Sequence, residues 1–340
     1  MHKAIQAVAV LLLIFLSSCG DEKKTLVIYT THGEELTSEY ARLFEKENPG
    51  VRVYAIDMGS QDALDRIRSE KANPQASLWW GAPAPLFMQA AEEGLLQPYR
   101  PSWASEVDSA HHDPADRWYG TFLTPEVIAY NSEKLDSSSA PQDWDELLQP
   151  QWRGRIVIRD PLASGTMRAI FAAMIQRELR RTGQLDAGFE WLRRLDRNTA
   201  SYTLNPNLLY IALARGETDV TLWNMPDIML QHNENNYPFA FILPRSGTVV
   251  VTDCMALLRN SKQPELARRF YEFVTTRDAL IHQAHTYYRI PARTDIPREK
   301  LPVWMQQPLK VLPMDWQLFA EKSNEWMQYW DDHIRGRGGK

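Results

Sequence analysis

Ser164-Gly165-Thr166 stands immediately before the helix-forming run Met167 to Arg181. Two hydroxyls, an unobstructed glycine backbone and the free N–H groups of a helix start together suit an anion such as phosphate, phosphonate or carboxylate. The same residues also suit a simpler task, in which Ser164 or Thr166 caps the helix. Taken alone, the residues leave both readings open. Arg168, in the first turn of that helix, either reaches a bound anion or lies on the surface. Two more turns are candidates, Thr30-Thr31-His32-Gly33 and Trp79-Trp80-Gly81-Ala82. His32 is either a ligand contact or an ordinary turn histidine. Trp80, Trp223 and Tyr202 adjoin candidate turns, as cleft aromatics or as packing, and Asn224 can donate or accept a hydrogen bond beside Trp223.

Catalytic spacing is harder to find. His111-His112-Asp113 with Asp116 brings metal-ligating residue types together, but in a proline-containing polar stretch with no helix or strand to fix a coordination geometry. It reads as a solvated loop, so no metal and no cofactor are expected. His32-Gly33-Glu34-Glu35 lacks the second histidine of a zinc helix, and neither a nucleophile elbow nor a phosphate-binding P-loop occurs. An exported enzyme with a cleft active site therefore stays as an alternative with no residues to name. Cys254, in the apolar stretch Val249 to Leu258, reads as a small buried hydrophobe.

The elements that must position the three turns alternate. Thr25 to Thr30 reads as a buried strand, Glu34 to Glu45 as an amphipathic helix, Val51 to Ile56 as a strand, Asp62 to Lys71 as a helix and Ala76 to Trp80 as a short apolar strand. That alternation means a parallel sheet with helices on its faces, and open α/β sheets bind ligands at the carboxyl ends of their strands. Trp118 to Asn131 is a long extended run with no helix attached, suited to crossing between lobes. Arg155 to Arg159 and Thr199 to Leu222 return to strand and helix, Tyr237 to Leu243 and Thr248 to Leu258 are extended, and Pro264 to Thr275 is helical. Two closing helices are expected in the tail, where Trp326 and Trp330, four apart, share a core-facing side.

The start of the chain concerns location. His2 and Lys3 precede the apolar run Ala4 to Leu16 and then Leu16-Ser17-Ser18-Cys19, the pattern of a signal peptide over residues 1–18. The Leu-Ser-Ser-Cys segment resembles the lipobox of bacterial lipoproteins, which implies an acyl (palmitate) anchor on Cys19 and a tether over residues 19–24. The membrane is then a partner through that lipid. Gly20 follows the cysteine and Asp21 comes one place later, so the sequence leaves inner or outer membrane open. A formal net charge of -5 without a basic block excludes a nucleic-acid partner. The roughly 320 residues after the anchor suggest two lobes rather than one core.

An ordered series of segments resembles the family 1 extracellular solute-binding proteins of bacterial ABC importers. It runs from Leu26 to Thr30, Phe44 to Val51, Trp79 to Phe87 and Glu93 to Leu96 through Tyr119 to Asn131 and Pro150 to Arg155. It continues with Asp160 to Thr166, Ala214 to Asp219 and Arg289 to Arg293. The resemblance implies an α/β, two-lobed type 2 periplasmic-binding fold, each lobe a mixed, mostly parallel sheet flanked by helices, with a ligand cleft between them. Lobe 1 is expected over 25–124 and 246–295, lobe 2 over 125–245 and 296–340. The implied function is that of a monomeric, non-catalytic receptor delivering a solute to an ABC permease and its ATPase. With the family in view the anion reading of Ser164, Gly165 and Thr166 is preferred, and the expected contacts are Thr31, His32, Trp80, Gly81, Trp223 and Asn224 besides. The ferric-ion-binding branch is the alternative. His32 matches its histidine, but its glutamate position falls in Trp80-Gly81-Ala82 and its tyrosine pair in Trp223 to Asp227, while Tyr287-Tyr288 stands elsewhere.

Overall fold

The computed structural model describes residues 24–337. The expected signal peptide, Cys19 and the tether up to residue 23 lie outside the described residues. The first third follows the expected alternation: β1 (Lys24–Thr30), α1 (Glu34–Glu47), β2 (Val51–Asp57), α2 (Ser60–Ser69), β3 (Leu78–Pro83), α3 (Ala84–Glu92) and the short β4 (Leu96–Gln97). β1 pairs in parallel with both β2 and β3, which places the turns after β1, β2 and β3 at one edge of the sheet.

The long extended run is β5 (Tyr119–Asn131), and its pairing changes partway along. Further on come β6 (Ile156–Arg159), α4 (Gly165–Thr182), α5 (Leu185–Asn198), β7 (Thr199–Thr203), α6 (Pro206–Ala214), β8 (Val220–Asn224), α7 (Met225–Asn235), β9 (Phe239–Ile242) and β10 (Val250–Leu258). The chain closes with α8 (Pro264–Val274), α9 (Arg277–Thr286), β11 (Ile290–Pro291) and α10 (Trp316–His333). Up to Pro125, β5 lies antiparallel to β10; from Glu126 to Tyr130 it lies antiparallel to β8. The strand order is β2-β1-β3-β10-β5-β8-β6-β7, with β4 on β10 and both β9 and β11 on β5. β5 therefore belongs to both halves of the sheet, and β6, β7 and β8 repeat in the second half the parallel pairing of the first. The expected α/β, two-lobed class holds.

Burial follows these halves. One large core gathers Val127, Ile128, Ile156, Ile170, Leu192 and Trp330 on the β6 side, and two smaller ones on the β1 side centre on Tyr40, Phe44 and Phe270 and on Trp79 and Phe87. Trp326 and Trp330 are buried on the same side of α10, as their spacing predicts. The second closing helix does not form. Between Arg298 and Gln306 the chain makes two short 3-10 turns, because Pro302, Pro308 and Pro313 remove the N–H donors a continuous helix needs. α5 and α9 went unread in the sequence. α7 forms although Pro226 stands in it, since a proline in the first turn removes a donor the helix does not use.

His111-His112-Asp113 is not a solvated loop. His111 Nδ1 lies 2.8 Å from the Thr252 hydroxyl, the His112 ring stacks on Tyr119 at 5.1 Å, and Arg117 forms a 2.7 Å ion pair with Asp113. These partners pin the segment to the strands as packing. Cys254 is buried, as expected.

Asn198, at the end of α5, donates through Nδ2 to the carbonyls of Leu147 (2.8 Å) and Gln149 (2.9 Å). It fastens the segment that leads into β6. Asn198→Ala leaves two carbonyls without that donor and lowers unfolding free energy by about 2 kcal/mol, to be read from urea denaturation; an unchanged midpoint would show the link to be dispensable.

Candidate ligand-binding site

A cavity of about 550 Å³ lies between the halves, and five helix N-termini border it. They are those of α1 (Gly33 to Glu35), α2 (Gly59 to Asp62), α4 (Ser164 to Thr166), α6 (Asn205 to Asn207) and α7 (Asn224 to Asp227). Each directs the positive end of a peptide dipole toward the cavity. In three of them the first turn already carries acid: Glu34 and Glu35 in α1, Asp62 in α2 and Asp227 in α7. The first turns of α4 and α6 carry none. In α6 Pro206 has no N–H and the Asn207 N–H is accepted by Asn205 Oδ1 (2.8 Å), so it is α4 whose positive end is left for something from outside the chain.

The cap reading and the anion reading of α4 divide between its residues. Ser164 is buried and its hydroxyl accepts from the Met167 N–H (3.3 Å), so it serves as the cap. Gly165 and Thr166 retain N–H groups for which the helix has no acceptor, and the Thr166 hydroxyl is half-buried in the wall. Gly165 is glycine because of a close approach: a Cβ there would stand 2.8 Å from the Ser60 hydroxyl and 2.9 Å from the Pro83 ring. The two halves touch across this glycine.

Several of the expected contacts are placed differently. Thr31, His32, Trp223 and Asn224 all line the cavity together with Ser164, Gly165 and Thr166. Trp80 does not; it is buried behind the wall, edge-on to His32 at 5.3 Å and to Tyr40 at 6.2 Å, because β3 is covered on both faces. Gly81 does not either. It has φ 97° and would bring a Cβ to 2.7 Å from the Thr31 hydroxyl and 2.9 Å from His32 Nε2, so its task is to let that turn pack down. Arg168 is buried and bound to the Pro161 and Leu162 carbonyls and to Asn324, away from the cavity. Tyr202 donates to Asp196 (2.7 Å) and packs on Trp330.

Asn224 faces the cavity with its amide largely occupied. Its Oδ1 accepts from the Asp227 N–H (2.9 Å) and its Nδ2 donates to Asp227 Oδ2 (2.7 Å). Asp227 also accepts from Arg289 (2.9 Å). Trp223 donates to the Tyr210 hydroxyl (2.9 Å), and its ring lies beneath the Arg159 guanidinium, 5.8 Å from centroid to Cζ. Burial, with Arg289 nearby, holds the His32 imidazole well below its usual range, so it is neutral and not a counter-ion.

Sequence reasoning missed the charged members of the wall. Arg159, the last residue of β6, borders the cavity and forms no ion pair among the described residues. Glu126 on β5 and Asp253 on β10 form part of the floor, on the strand faces shared with Thr124 and Val251. The signal was present: a charged residue inside a run that is otherwise apolar is rarely there for packing.

Tyr287 donates to Glu39 (2.5 Å), and neither Tyr287 nor Tyr288 borders the cavity. Among the described residues no group of three or more His, Cys, Asp or Glu is arranged to hold a metal ion, and no helix is long and apolar enough to cross a membrane.

Burial raises the Asp253 carboxyl to about 6, against the Thr124 hydroxyl and Arg289, which favour its charge. The folded state then holds this proton more tightly than the unfolded chain, so stability falls as pH rises from the ordinary 3.8 through 6. The whole effect is about 3 kcal/mol. Asp253→Asn removes it. The stability of that variant relative to the parent, measured by urea unfolding, should rise between pH 4 and pH 7 and then level off; a difference independent of pH would contradict the assignment.

Comparison with known proteins agrees with this geometry. Residues 82–319 match the family described as bacterial extracellular solute-binding protein. The probable ABC transporter periplasmic-binding protein y4fP of Sinorhizobium fredii is 25% identical over 320 residues, 92% of this chain and 87% of the relative. The periplasmic binding protein P5PA superposes with a TM-score of 0.80 at 25% identity, over 92% of this chain and 100% of that one. AfuA of Actinobacillus pleuropneumoniae, with fructose-6-phosphate bound, gives 0.79 at 25% identity, over 92% and 99%. The receptor reading of the sequence holds and the ferric-ion alternative is not favoured. The chain belongs to the family of bacterial extracellular solute-binding proteins of ABC importers.

Proposed function

We propose that the solute is a small organic anion carrying a phosphate- or phosphonate-type group, captured as the two lobes close and handed to an ABC permease without chemical change. The observation that carries this reading is Arg159, a cation with no ion pair among the described residues, sharing the cavity with the N-terminus of α4, whose first turn holds no acid. The amides of Gly165 and Thr166, the Thr166 hydroxyl and the Arg159 guanidinium supply donors of the kind a tetrahedral oxyanion takes. Lobe closure follows from differential affinity, since only a solute that satisfies donors on both sides favours the closed form. The fructose-6-phosphate bound to AfuA is a phosphate ester of this class.

In the same proposal the protein is a monomer. Residues 1–18 direct export, and Cys19 carries the lipid that keeps the receptor beside its permease. Metabolic labelling with a palmitate analogue should mark the native chain and not Cys19→Ala; an unlabelled native chain would remove the anchor from the account.

The anion site is tested by a thermal-shift screen of phosphate esters and phosphonates, followed by titration calorimetry on the hits. Arg159→Gln should weaken binding by about tenfold to a hundredfold and Thr166→Ala by about threefold to tenfold, from the usual strength of charged and neutral hydrogen bonds. Solute recovered intact after binding supports a receptor. Undiminished affinity in both variants would remove the anion from this part of the cleft.

A further inference from the structure

The charge lining the cleft does not suit a solute that is only an anion. Seven carboxyl side chains border the cavity against two guanidinium groups, and one of those two, Arg289, is already bound to Asp227. Positive charge on the solute is favoured beside such a wall.

The floor indicates where that charge goes. Glu126 is 0% exposed, yet among the described residues no donor meets its carboxyl oxygens in hydrogen-bond geometry, the Thr166 hydroxyl being only a near neighbour. Asp253 stands on the neighbouring strand, with Oδ2 taken by the Thr124 hydroxyl at 2.5 Å. No ion pair closes on either acid among the described residues. Burial and mutual repulsion with Asp253 and Asp227 hold the Glu126 carboxyl well above the usual range, with only the Thr166 hydroxyl opposing them. An unpartnered buried acid costs stability in the empty protein, and a ligand that supplies the missing donors removes the cost when it binds. A primary ammonium has three N–H donors for these oxygens, whereas a trimethylammonium has none.

We infer that the solute is a zwitterion whose primary ammonium is taken by Glu126 and Asp253 on the cleft floor, while its phosphorus-type anion is held at the N-terminus of α4 beside Arg159. This rests on the anion site proposed above. Thr166 adjoins both places, since the hydroxyl that serves the anion also lies near Glu126, so a short chain separates the two charges of the solute.

Titration calorimetry on the native chain with matched probes tests the inference. The probes are 2-aminoethylphosphonate and 3-aminopropylphosphonate, ethylphosphonate and propylphosphonate, and glycerol 3-phosphate. At least one amine should bind about tenfold or more tightly than its alkyl counterpart. Glu126→Gln should bring that ratio close to one, and Asp253→Asn should lower it. Equal affinity for amine and alkyl probes, or glycerol 3-phosphate binding more tightly than either amine, overturns the ammonium site and leaves the anion site standing. Binding of none of these compounds overturns both. The comparison on the native chain decides the question even if a variant fails to fold.

Discussion

The amide groups of Gly165 and Thr166 have no acceptor within their own helix, and the cleft is arranged around that deficit. A helix start buried in a cavity wall must find acceptors for its first N–H groups or remain costly. Ser164 answers for Met167 only. The acids that offset the positive helix end in α1, α2 and α7 are missing from the first turn of α4. In the proposed function, the solute's oxyanion acceptors complete what the chain leaves incomplete.

The two crossing strands give this arrangement its second property. β5 and β10 run under the cavity, so side chains on their cleft face meet a solute held between the lobes. On that face the chain places Thr124 and Glu126, Val251 and Asp253. Asp227 ties the start of α7 to Arg289 beyond the second crossing, so one carboxylate both neutralises a cation and links the halves. Packing elsewhere keeps these groups in place: Trp80 and Phe122 support His32 from behind, and Gly81 allows the Thr31 turn to descend against them.

The fold was legible because its signals are local. Strand and helix alternate at short spacing, and the run from Tyr119 to Asn131 is too long and too extended to be an ordinary strand. The turns at Thr31 and Ser164, and the pair Trp223 and Asn224, could be placed beside the cavity because open α/β sheets have their clefts at strand ends. Trp80 and Gly81 were misplaced because the rule gives the end of a strand and not which of its residues face the opening; β3 is central and covered on both faces. Arg159, Glu126, Asp253 and Arg289 come from four separate stretches that only the folded chain brings to one cavity. Each is a charged residue in or beside an apolar run, and their convergence depends on contacts remote in sequence. The closing helix that does not form was lost to three prolines visible in the sequence. Burial of Trp326 and Trp330 depended only on their spacing and was read correctly.

The central claim is that the solute's anion sits on the amides of Gly165 and Thr166. Amide proton and nitrogen chemical shifts of the labelled protein, followed through a titration with a binding phosphate or phosphonate ester, test it directly. The account predicts that the Gly165 and Thr166 amide protons move downfield by the largest amounts in the protein. Saturable binding that leaves those two amides unmoved would contradict it.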